Sequence, residues 1–309
     1  MDKLLIIGSS GLVGSKVAAI ATIHGFESYN TTNSRRTSLP RATRLDITDH
    51  DATVELVRQI QPSAIVNTAA ITNVDYCETH HEEAQRLNVE GVRNLAEAAK
   101  ANKSRLIQIS TDYVFDGTRG HYTEDDHARP LNNYGLTKLQ AEQIVSSLPS
   151  YAIARPSVIY GWNPPETRGK TSDSLKPMNF VMFVVDRLKK GEIVKAVRDQ
   201  YSSPTFADNL GEALLRLARH RGNGIFHTAG RSCLSRYEFA AKVAELFGYA
   251  TQLVQPVSSN EFKQLADRPK NSCLKVEKAE RVLGMRLYSA EEGIGEMHRQ
   301  NPSSANPPA

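Results

Sequence analysis

The segment "GSSGLVG" at residues 8–14 constrains the fold more than any other part of the chain. It places Gly8, Gly11 and Gly14 at three-residue intervals, between a predicted strand (Lys3–Ile7) and a predicted helix (Leu12–His24). A chain that turns there from strand to helix brings bare backbone close to a pyrophosphate and aims helix N–H groups at its charge. A turn that merely contains glycines is the alternative, but the strand–loop–helix context favours a dinucleotide-binding loop.

Short apolar segments and helical patterns alternate through the first half of the chain. Five segments have the length and composition of buried strands: Lys3–Ile7, Phe26–Thr31, Ala64–Thr68, Arg105–Ser110 and Tyr151–Arg155. Four other stretches are predicted as helices: Leu12–His24, Ala52–Gln61, Glu82–Ala101 and Tyr134–Ser146. This alternation predicts an α/β fold, a Rossmann-type doubly wound parallel sheet covered on both faces.

The second half of the chain predicts a smaller, mixed α/β unit. Residues Pro164–Pro177 are polar and rich in breakers, which indicates a loop. Helices are predicted near Phe180–Lys190, Ala207–His220 and Ser235–Phe247, the last with a capping box, and a strand at Gly224–Thr228. We predict a Rossmann cofactor domain at 1–160, to which elements around 192–230 return, a C-terminal substrate domain at 161–300, and a disordered tail at 301–309.

Composition and charge argue against several classes of protein. Of 309 residues 40% are hydrophobic, and 38 basic against 34 acidic residues give a net charge of only +4, so we predict no nucleic-acid partner. No apolar run approaches the roughly 18 residues that span a bilayer, so we predict no membrane segment. No CxxC or HxxxH pair occurs, so we predict no metal. Three scattered cysteines, Cys77, Cys233 and Cys273, argue against a disulfide framework and indicate the cytoplasm.

The residues after the second predicted strand bear on the choice of dinucleotide. NAD-binding chains usually carry a carboxylate about 20 residues beyond the glycines. Here no Asp or Glu occurs from Asn30 to Arg44, and the sequence reads "NTTNSRR". Its hydroxyl and guanidinium groups would suit a 2′-phosphate, so we predict NADP in preference to NAD, with a solvated basic loop as the alternative. The candidate contacts are Asn33, Ser34, Arg35, Asp46 and Ile47, with the alternative that Asp46 or Asp49 caps the helix that follows.

Three further segments together predict carbonyl reduction. Small residues Ala69 and Ala70 follow one strand in "NTAAITNVD", Thr111 follows the next in "ISTDYVFDG", and "YGLTK" opens a helix. Tyr134 and Lys138 are four residues apart and share a helix face. Tyr134 would donate a proton, Lys138 would lower its pKa, and Thr111 would hydrogen-bond the developing alkoxide.

These motifs resemble the extended short-chain dehydrogenase/reductases, and more narrowly the dTDP-4-dehydrorhamnose reductase group, whose relatives include the methionine adenosyltransferase regulatory β subunit. The matching segments include "GSSGLVG", "NTAAITNVDYCE", "STDYVFDG", "PLNNYGLTK" and "DQYSSPTFADNL". The resemblance implies a catalytic triad of Thr111, Tyr134 and Lys138, with Lys138 also on the nicotinamide ribose. It implies that Ser10, Leu12 and Val13 lie in the phosphate loop, and that Asn88 lies behind the site.

The resemblance also implies a nucleotide-sugar substrate. Candidate substrate contacts are Thr111, Asp112, Val114, Asn179, Gln200 and Arg268, with turn formation as the alternative for Asp112. Two departures favour the regulatory branch as a second hypothesis: Val158 replaces a family tryptophan, and an insertion spans Trp162–Met178. That branch implies a methionine adenosyltransferase-like partner, and a homodimer is a further possibility. A sugar-nucleotide epimerase or dehydratase is the third hypothesis.

Overall fold

The structure, a computed structural model, describes residues 1–34, 37–163, 178–262 and 264–301. Its central sheet has seven parallel strands in the order β3-β2-β1-β4-β5-β6-β11. The strands are β1 Asp2–Ile7, β2 Phe26–Thr32, β3 Ala42–Arg44, β4 Ala64–Asn67, β5 Arg105–Ile109, β6 Tyr151–Arg155 and β11 Ile225–His227. This order is that of a Rossmann sheet, so the predicted fold class is confirmed. The prediction missed β3, whose residues are all exposed and carry no apolar pattern.

Helices cover both faces of the sheet. They are α1 Leu12–Ile20, α2 His50–Ile60, α3 Val74–Thr79, α4 His81–Gln85, α5 Gly91–Asn102, α6 Asn133–Ser146 and α8 Ala207–Arg219. Alternate side chains of β1 face opposite layers: Leu4 and Ile6 pack with α1 and α8, whereas Leu5 and Ile7 pack with α2, α5 and α6. The sequence predicted one helix at Glu82–Ala101; instead a π-helical turn at Arg86–Glu90 separates α4 from α5.

A smaller lobe follows the sixth strand. It contains β7 Ser157–Tyr160, α7 Phe180–Lys189, β8 Val194–Val197, β9 Tyr201–Ser202, β10 Pro204–Phe206, β12 Leu234–Ser235, α9 Arg236–Leu246, β13 Val254–Val257, α10 Glu277–Leu283 and α11 Ala290–Arg299. Its core is built largely from α7, α9 and α11 around the buried rings of Tyr160, Phe206 and Phe239. The predicted capping box of Ser235 and Glu238 is present at α9. The domain boundaries stay a prediction, and residues 302–309 of the predicted tail lie outside the described residues.

Two cysteines pair across the smaller lobe. Cys233 and Cys273 form a disulfide although 40 residues separate them, while Cys77 is free and buried. The inference from cysteine spacing is therefore wrong for two of the three thiols, because the fold brings together segments that the spacing does not relate. Among the described residues, no helix is both long and apolar enough to cross a bilayer. In the same ranges, no three His, Cys, Asp or Glu side chains gather as a metal site would require.

Candidate active site

A cleft of about 480 Å³ opens at the carboxyl ends of β1, β4 and β5 and is closed on its other side by the smaller lobe. Open α/β sheets bind ligands at this edge. The lining brings together many of the predicted site residues: Gly11, Leu12, Val13, Ala69, Ala70, Thr111, Asp112, Tyr134, Lys138 and Asn179. Motifs that are far apart in the sequence thus lie together in one cleft.

The glycine loop forms one wall of the cleft. Gly11 is the N-cap of α1 and gives no side-chain hydrogen bond, so backbone N–H groups of the first turn point outward. Gly8 has a φ of +78°, and a Cβ at Gly14 would lie 2.4 Å from the Gly8 carbonyl oxygen. Gly8, Ser10 and Gly14 belong to the loop without lining the described part of the cleft. Gly8 and Gly14 therefore shape the turn, and Gly11 presents its helix N-terminus.

Asp46 lies at the centre of the predicted binding surface for the adenine end of the cofactor. Burial alone would raise the pKa of its carboxyl, but hydrogen bonds from Thr48 and Asn33 and the charge of Arg86 outweigh burial and lower it. Asp49, not Asp46, caps α2, because its side chain accepts the Ala52 N–H. Ile47 is buried and packs under this surface. Ser34 ends the first described range, and Arg35 lies outside the described residues.

Tyr134 and Thr111 both line the cleft. Asn132 caps α6 by accepting the Gly135 N–H at 2.8 Å, which fixes the helix start just before Tyr134. Burial raises the pKa of the Tyr134 phenol, and the Thr111 hydroxyl opposes this rise only in part. The pKa of Tyr134 is thus raised overall, and the lowering effect predicted for the Lys138 charge stays a prediction. A phenol with a raised pKa keeps its proton at neutral pH, which is the form that a proton donor requires.

Lys138 lies one turn further along α6 and is almost fully buried, with 2% of its surface exposed. Burial raises the pKa of the neighbouring Cys77 thiol to about 11, and the Lys138 charge acts against this rise. Asn88 lies behind the helix as the resemblance implied: it donates to Thr137 at 3.2 Å and accepts the Ile71 N–H at 2.9 Å. It thereby joins α6 to the segment after β4 that carries Ala69 and Ala70.

The predicted substrate contacts separate into two groups. Asp112 and Asn179 line the cleft, and Asn179 also caps α7 by accepting the Met182 N–H at 3.2 Å. Val114 is fully buried in the main core, a placement that does not support a ligand contact. Gln200 donates to Gln264 at 3.0 Å, and Arg268 is paired with Asp75 at 2.6 Å. Neither lines the cleft as described: Gln200 is held by another residue of the smaller lobe, and Arg268 by Asp75 of α3.

Two cleft features escaped the sequence interpretation. Arg236 lies over the Phe180 ring at 5.4 Å. Burial raises the pKa values of Asp112 and Tyr113, and the Arg236 charge opposes this rise. In the sequence, Arg236 was marked only by its position directly after Ser235, the predicted helix N-cap. Val158 has a φ of +42°, a strained value for a β-branched residue, at a register shift between β7 and β10. The sequence marked Val158 as unusual for its family but could not reveal the bulge.

Comparison with known proteins agrees with this geometry. The family model described as RmlD substrate binding domain matches residues 2–301. A dTDP-4-dehydrorhamnose reductase from Aggregatibacter actinomycetemcomitans is 32% identical over 299 residues, covering 92% of this chain and 94% of that protein. Rat methionine adenosyltransferase 2 subunit beta is 30% identical over 291 residues, covering 90% and 81%.

Solved structures give the same result. The crystal structure of dTDP-4-dehydrorhamnose reductase from Bacillus anthracis in complex with NADP superimposes with a TM-score of 0.85 at 30% identity. The match covers 97% of this chain and 99% of that one, so it includes both the sheet and the smaller lobe. The chain belongs to the family of the RmlD substrate binding domain.

Proposed function

We propose that this protein is an NADPH-dependent reductase of a nucleotide-linked 4-keto sugar, similar to dTDP-4-dehydrorhamnose reductase. The observation that carries the proposal is that Tyr134, Thr111 and the buried Lys138 line one cleft, which the glycine loop borders. A protonated phenol, a hydroxyl and a cation at one point are what reduction of a carbonyl to an alcohol requires. Relatives named as such reductases support the choice of substrate class.

The residues present fit a dinucleotide. A Cβ at Gly8 would lie 3.0 Å from Thr68 Oγ1 and one at Gly14 would overlap the Gly8 carbonyl, so only glycine keeps this loop tight. The uncapped N-terminus of α1 would hold the pyrophosphate. Asn33, Ser34 and Asp46 would hold the adenine ribose, Ala69 and Ala70 would flank the cofactor, and Lys138 would bind the nicotinamide ribose. The bound cofactor would supply a hydride to the keto carbon.

The chain's own residues supply the proton and the charge stabilisation. Tyr134 would donate its phenolic proton to the oxygen of the substrate carbonyl, since burial keeps the phenol neutral. The Lys138 cation would then stabilise the phenolate left behind. Thr111 would hold the oxygen end of the substrate beside Tyr134. At the opposite wall, Arg236 gives the cleft a positive charge suited to an anionic nucleotide substrate.

An absorbance assay tests the proposal. Purified protein is mixed with NADPH and dTDP-4-keto-6-deoxy-mannose, and oxidation of NADPH is followed in the near ultraviolet. We expect substrate-dependent oxidation, slower oxidation with NADH, and loss of turnover in Tyr134→Phe. No oxidation at high protein concentration, with NADPH binding intact in a thermal-shift assay, would rule out this substrate.

A second candidate function is an NADP-binding regulatory subunit. It is favoured by Val158 at the place of a family tryptophan and by the similarity to rat methionine adenosyltransferase 2 subunit beta. This function requires a stoichiometric partner enzyme, whereas the reductase does not. Affinity purification from native lysate, followed by mass spectrometry, separates the two, and size-exclusion chromatography of the pure chain tests the predicted homodimer. Tightly bound NAD after purification would instead favour an epimerase or dehydratase.

We infer a cytoplasmic location from the proposed cofactor and substrate. The Cys233–Cys273 disulfide argues in the other direction, because disulfides are rare in that compartment. Cell fractionation with a tagged full chain decides between them, and recovery outside the cytosolic fraction would contradict the inference.

A further inference from the structure

The Cys233–Cys273 disulfide joins two segments that both reach the cleft. Cys233 stands just before β12 and the first residue of α9, Arg236, which lines the cleft. Cys273 follows Ser272, whose hydroxyl donates to Oδ2 of the cleft-lining Asp112 at 2.5 Å. The disulfide therefore connects the segment that carries a cationic side chain of the cleft to the segment that holds an anionic one.

A strand of only two residues, β9, contacts both of these segments. Tyr201 and Ser202 of β9 pair with β12 on one side, and the Tyr201 carbonyl accepts the Ser272 N–H at 3.0 Å on the other. So short a strand makes few hydrogen bonds, and segments with few such contacts open locally at little cost in free energy. We therefore expect the disulfide to fix much of the spacing between the two segments. Neither cysteine belongs to the core that α7, α9 and α11 form, so the lobe should stay folded without the cross-link.

The two cysteines differ in their exposure to solvent. Cys273 is fully buried, whereas Cys233 is half-buried and is the more accessible to a reductant. The thiolate of a dithiol reductant would attack Cys233 Sγ, form a mixed disulfide and release Cys273 as the leaving thiolate. The second thiol of the reductant then displaces Cys233 and closes a disulfide within the reductant. Two electrons and two protons pass from the dithiol to the protein, and both cysteines become thiols.

We propose that this disulfide is a redox switch on substrate binding: when oxidised it holds Arg236 and Asp112 at the spacing that the nucleotide-sugar requires, and reduction by a cellular dithiol loosens this wall of the cleft. The inference rests on the proposed function for the identity of the ligand, whereas the loosening of the wall is independent of it. Disulfides in the cytosol are usually transient and catalytic or redox-sensing. A switch therefore accounts for a disulfide in a protein with a cytoplasmic cofactor and substrate.

The cofactor side of the cleft provides an internal reference. The glycine loop and the start of α1 follow β1 of the central sheet, and their shape depends on the close approach of Gly14 to the Gly8 carbonyl. Reduction should therefore weaken binding of the nucleotide-sugar and leave binding of NADPH unchanged. A disulfide with a purely structural role has a different signature, because its reduction lowers the free energy of unfolding without separating the two affinities.

Hydrogen–deuterium exchange of the full chain, read by mass spectrometry, measures the loosening without any ligand. After treatment with dithiothreitol we expect faster exchange in residues 234–238 and 271–275, and unchanged exchange in β1 and the glycine loop. The double variant Cys233→Ser, Cys273→Ser should show the reduced pattern with and without dithiothreitol. If that variant does not fold, the reduced wild type gives the same comparison. Unchanged exchange in both segments of the reduced wild type overturns the proposal.

Calorimetric titration with thymidine 5′-diphosphate, a stable probe for the nucleotide part of the substrate, measures the effect on binding. We expect the oxidised protein to bind this probe about 3- to 10-fold more tightly than the reduced protein, because a loosened wall must be ordered on binding. By linkage, a saturating concentration of the probe should make the disulfide harder to reduce by the same factor. Alkylation of the thiols across a series of dithiothreitol concentrations measures that second effect.

Cys77→Ser is the matched control, because it removes the free thiol and keeps the cross-link. It should respond to dithiothreitol as the wild type does, and loss of the response in this variant would assign the effect to Cys77 and overturn the proposal. Equal affinity of the probe for the oxidised and reduced forms also overturns it, as does a parallel fall in NADPH affinity. Binding of the probe to neither form, with NADPH binding intact, contradicts the proposed function and with it the ligand of the switch. Unchanged exchange with normal binding of the probe contradicts the switch alone.

Discussion

Arg155 and Glu142 form a buried bidentate ion pair directly after the Tyr134–Lys138 segment of α6. The distances are 2.8 Å from Nε to Oε1 and 2.6 Å from Nη2 to Oε2, and the two side chains are 3% and 4% exposed. Arg155 ends β6, and its guanidinium also lies over the Phe115 ring at 5.1 Å. The pair therefore ties the helix that carries the proposed proton donor to the central sheet.

Removing the charge of one partner of this ion pair should lower the free energy of unfolding. Glu142→Gln leaves the Arg155 charge buried without a counter-charge, so we expect the free energy of unfolding to fall by about 3–5 kcal/mol. Urea denaturation measures the change. Glu212→Gln is the control, because it breaks the half-exposed Glu212–Arg216 pair and should cost less than about 1 kcal/mol. Equal effects of the two substitutions would contradict the structural role assigned to Glu142.

His227 should make the fold sensitive to acid. Burial, together with the Arg155 charge, lowers its pKa from 6.5 to about 3. Between these values the unfolded chain binds a proton at this site and the folded chain does not. Stability from this site is therefore full above about pH 6.5 and is lost as the pH falls towards 3, at about 1.4 kcal/mol per pH unit.

Chemical denaturation of wild type and His227→Gln across this pH range measures the effect. Because glutamine does not titrate, the stability of the wild type relative to the variant should decline steadily as the pH is lowered from 7 to about 4. A difference that is constant with pH would mean that the imidazole is not held neutral in the folded protein.

Tyr134→Phe should abolish most of the turnover while preserving the fold. Removing a positioned proton donor typically costs about 10²–10⁴-fold in rate. The ring stays in its packed place beside Tyr113, so we expect a near-normal melting temperature. Tyr249→Phe, in the smaller lobe and outside the cleft lining, is the control and should leave kcat unchanged. Comparable losses in both variants would argue against a special role for Tyr134.

The glycine loop offers a second matched pair of substitutions. Gly14→Ala would place a Cβ 2.4 Å from the Gly8 carbonyl oxygen and 2.8 Å from the Ser9 Cα, so the backbone must move. We expect weaker NADPH binding in a thermal-shift titration. Gly295→Ala meets nothing within 4 Å in helix α11 and should stabilise the fold by about 0.5–1 kcal/mol without affecting binding. Unimpaired binding by Gly14→Ala would contradict the assigned loop function.

The features that could be predicted from the sequence each lie within one short segment of the chain. Gly8, Gly11 and Gly14 lie within a single strand–loop–helix unit, and Tyr134 and Lys138 lie on one turn of one helix. Their side-chain periodicity and their order along the chain fix their relative positions. The carboxyl ends of parallel strands then bring such units to a common edge, which is why motifs far apart in sequence could be placed at one site.

The features that were missed depend on contacts between distant segments. Ser272 reaches Asp112 across 160 residues, and nothing in its sequence neighbourhood indicates this contact. The positive φ of Val158 arises at a register shift against β10, which a single strand's sequence does not encode. The raised pKa of Tyr134 follows from how completely the fold buries the ring, which the spacing of Tyr134 and Lys138 does not reveal.

The Cys233–Cys273 disulfide should contribute measurably to the free energy of unfolding. A cross-link between residues 40 positions apart restricts the unfolded chain, which predicts a contribution of about 2–4 kcal/mol to the free energy of unfolding. Denaturation of the wild type with and without dithiothreitol measures it. The double variant Cys233→Ser, Cys273→Ser should resemble the reduced wild type and should not respond to the reductant. Cys77→Ser keeps the cross-link and should respond as the wild type does. A wild-type midpoint that does not change on reduction would show that the two thiols are unpaired in solution.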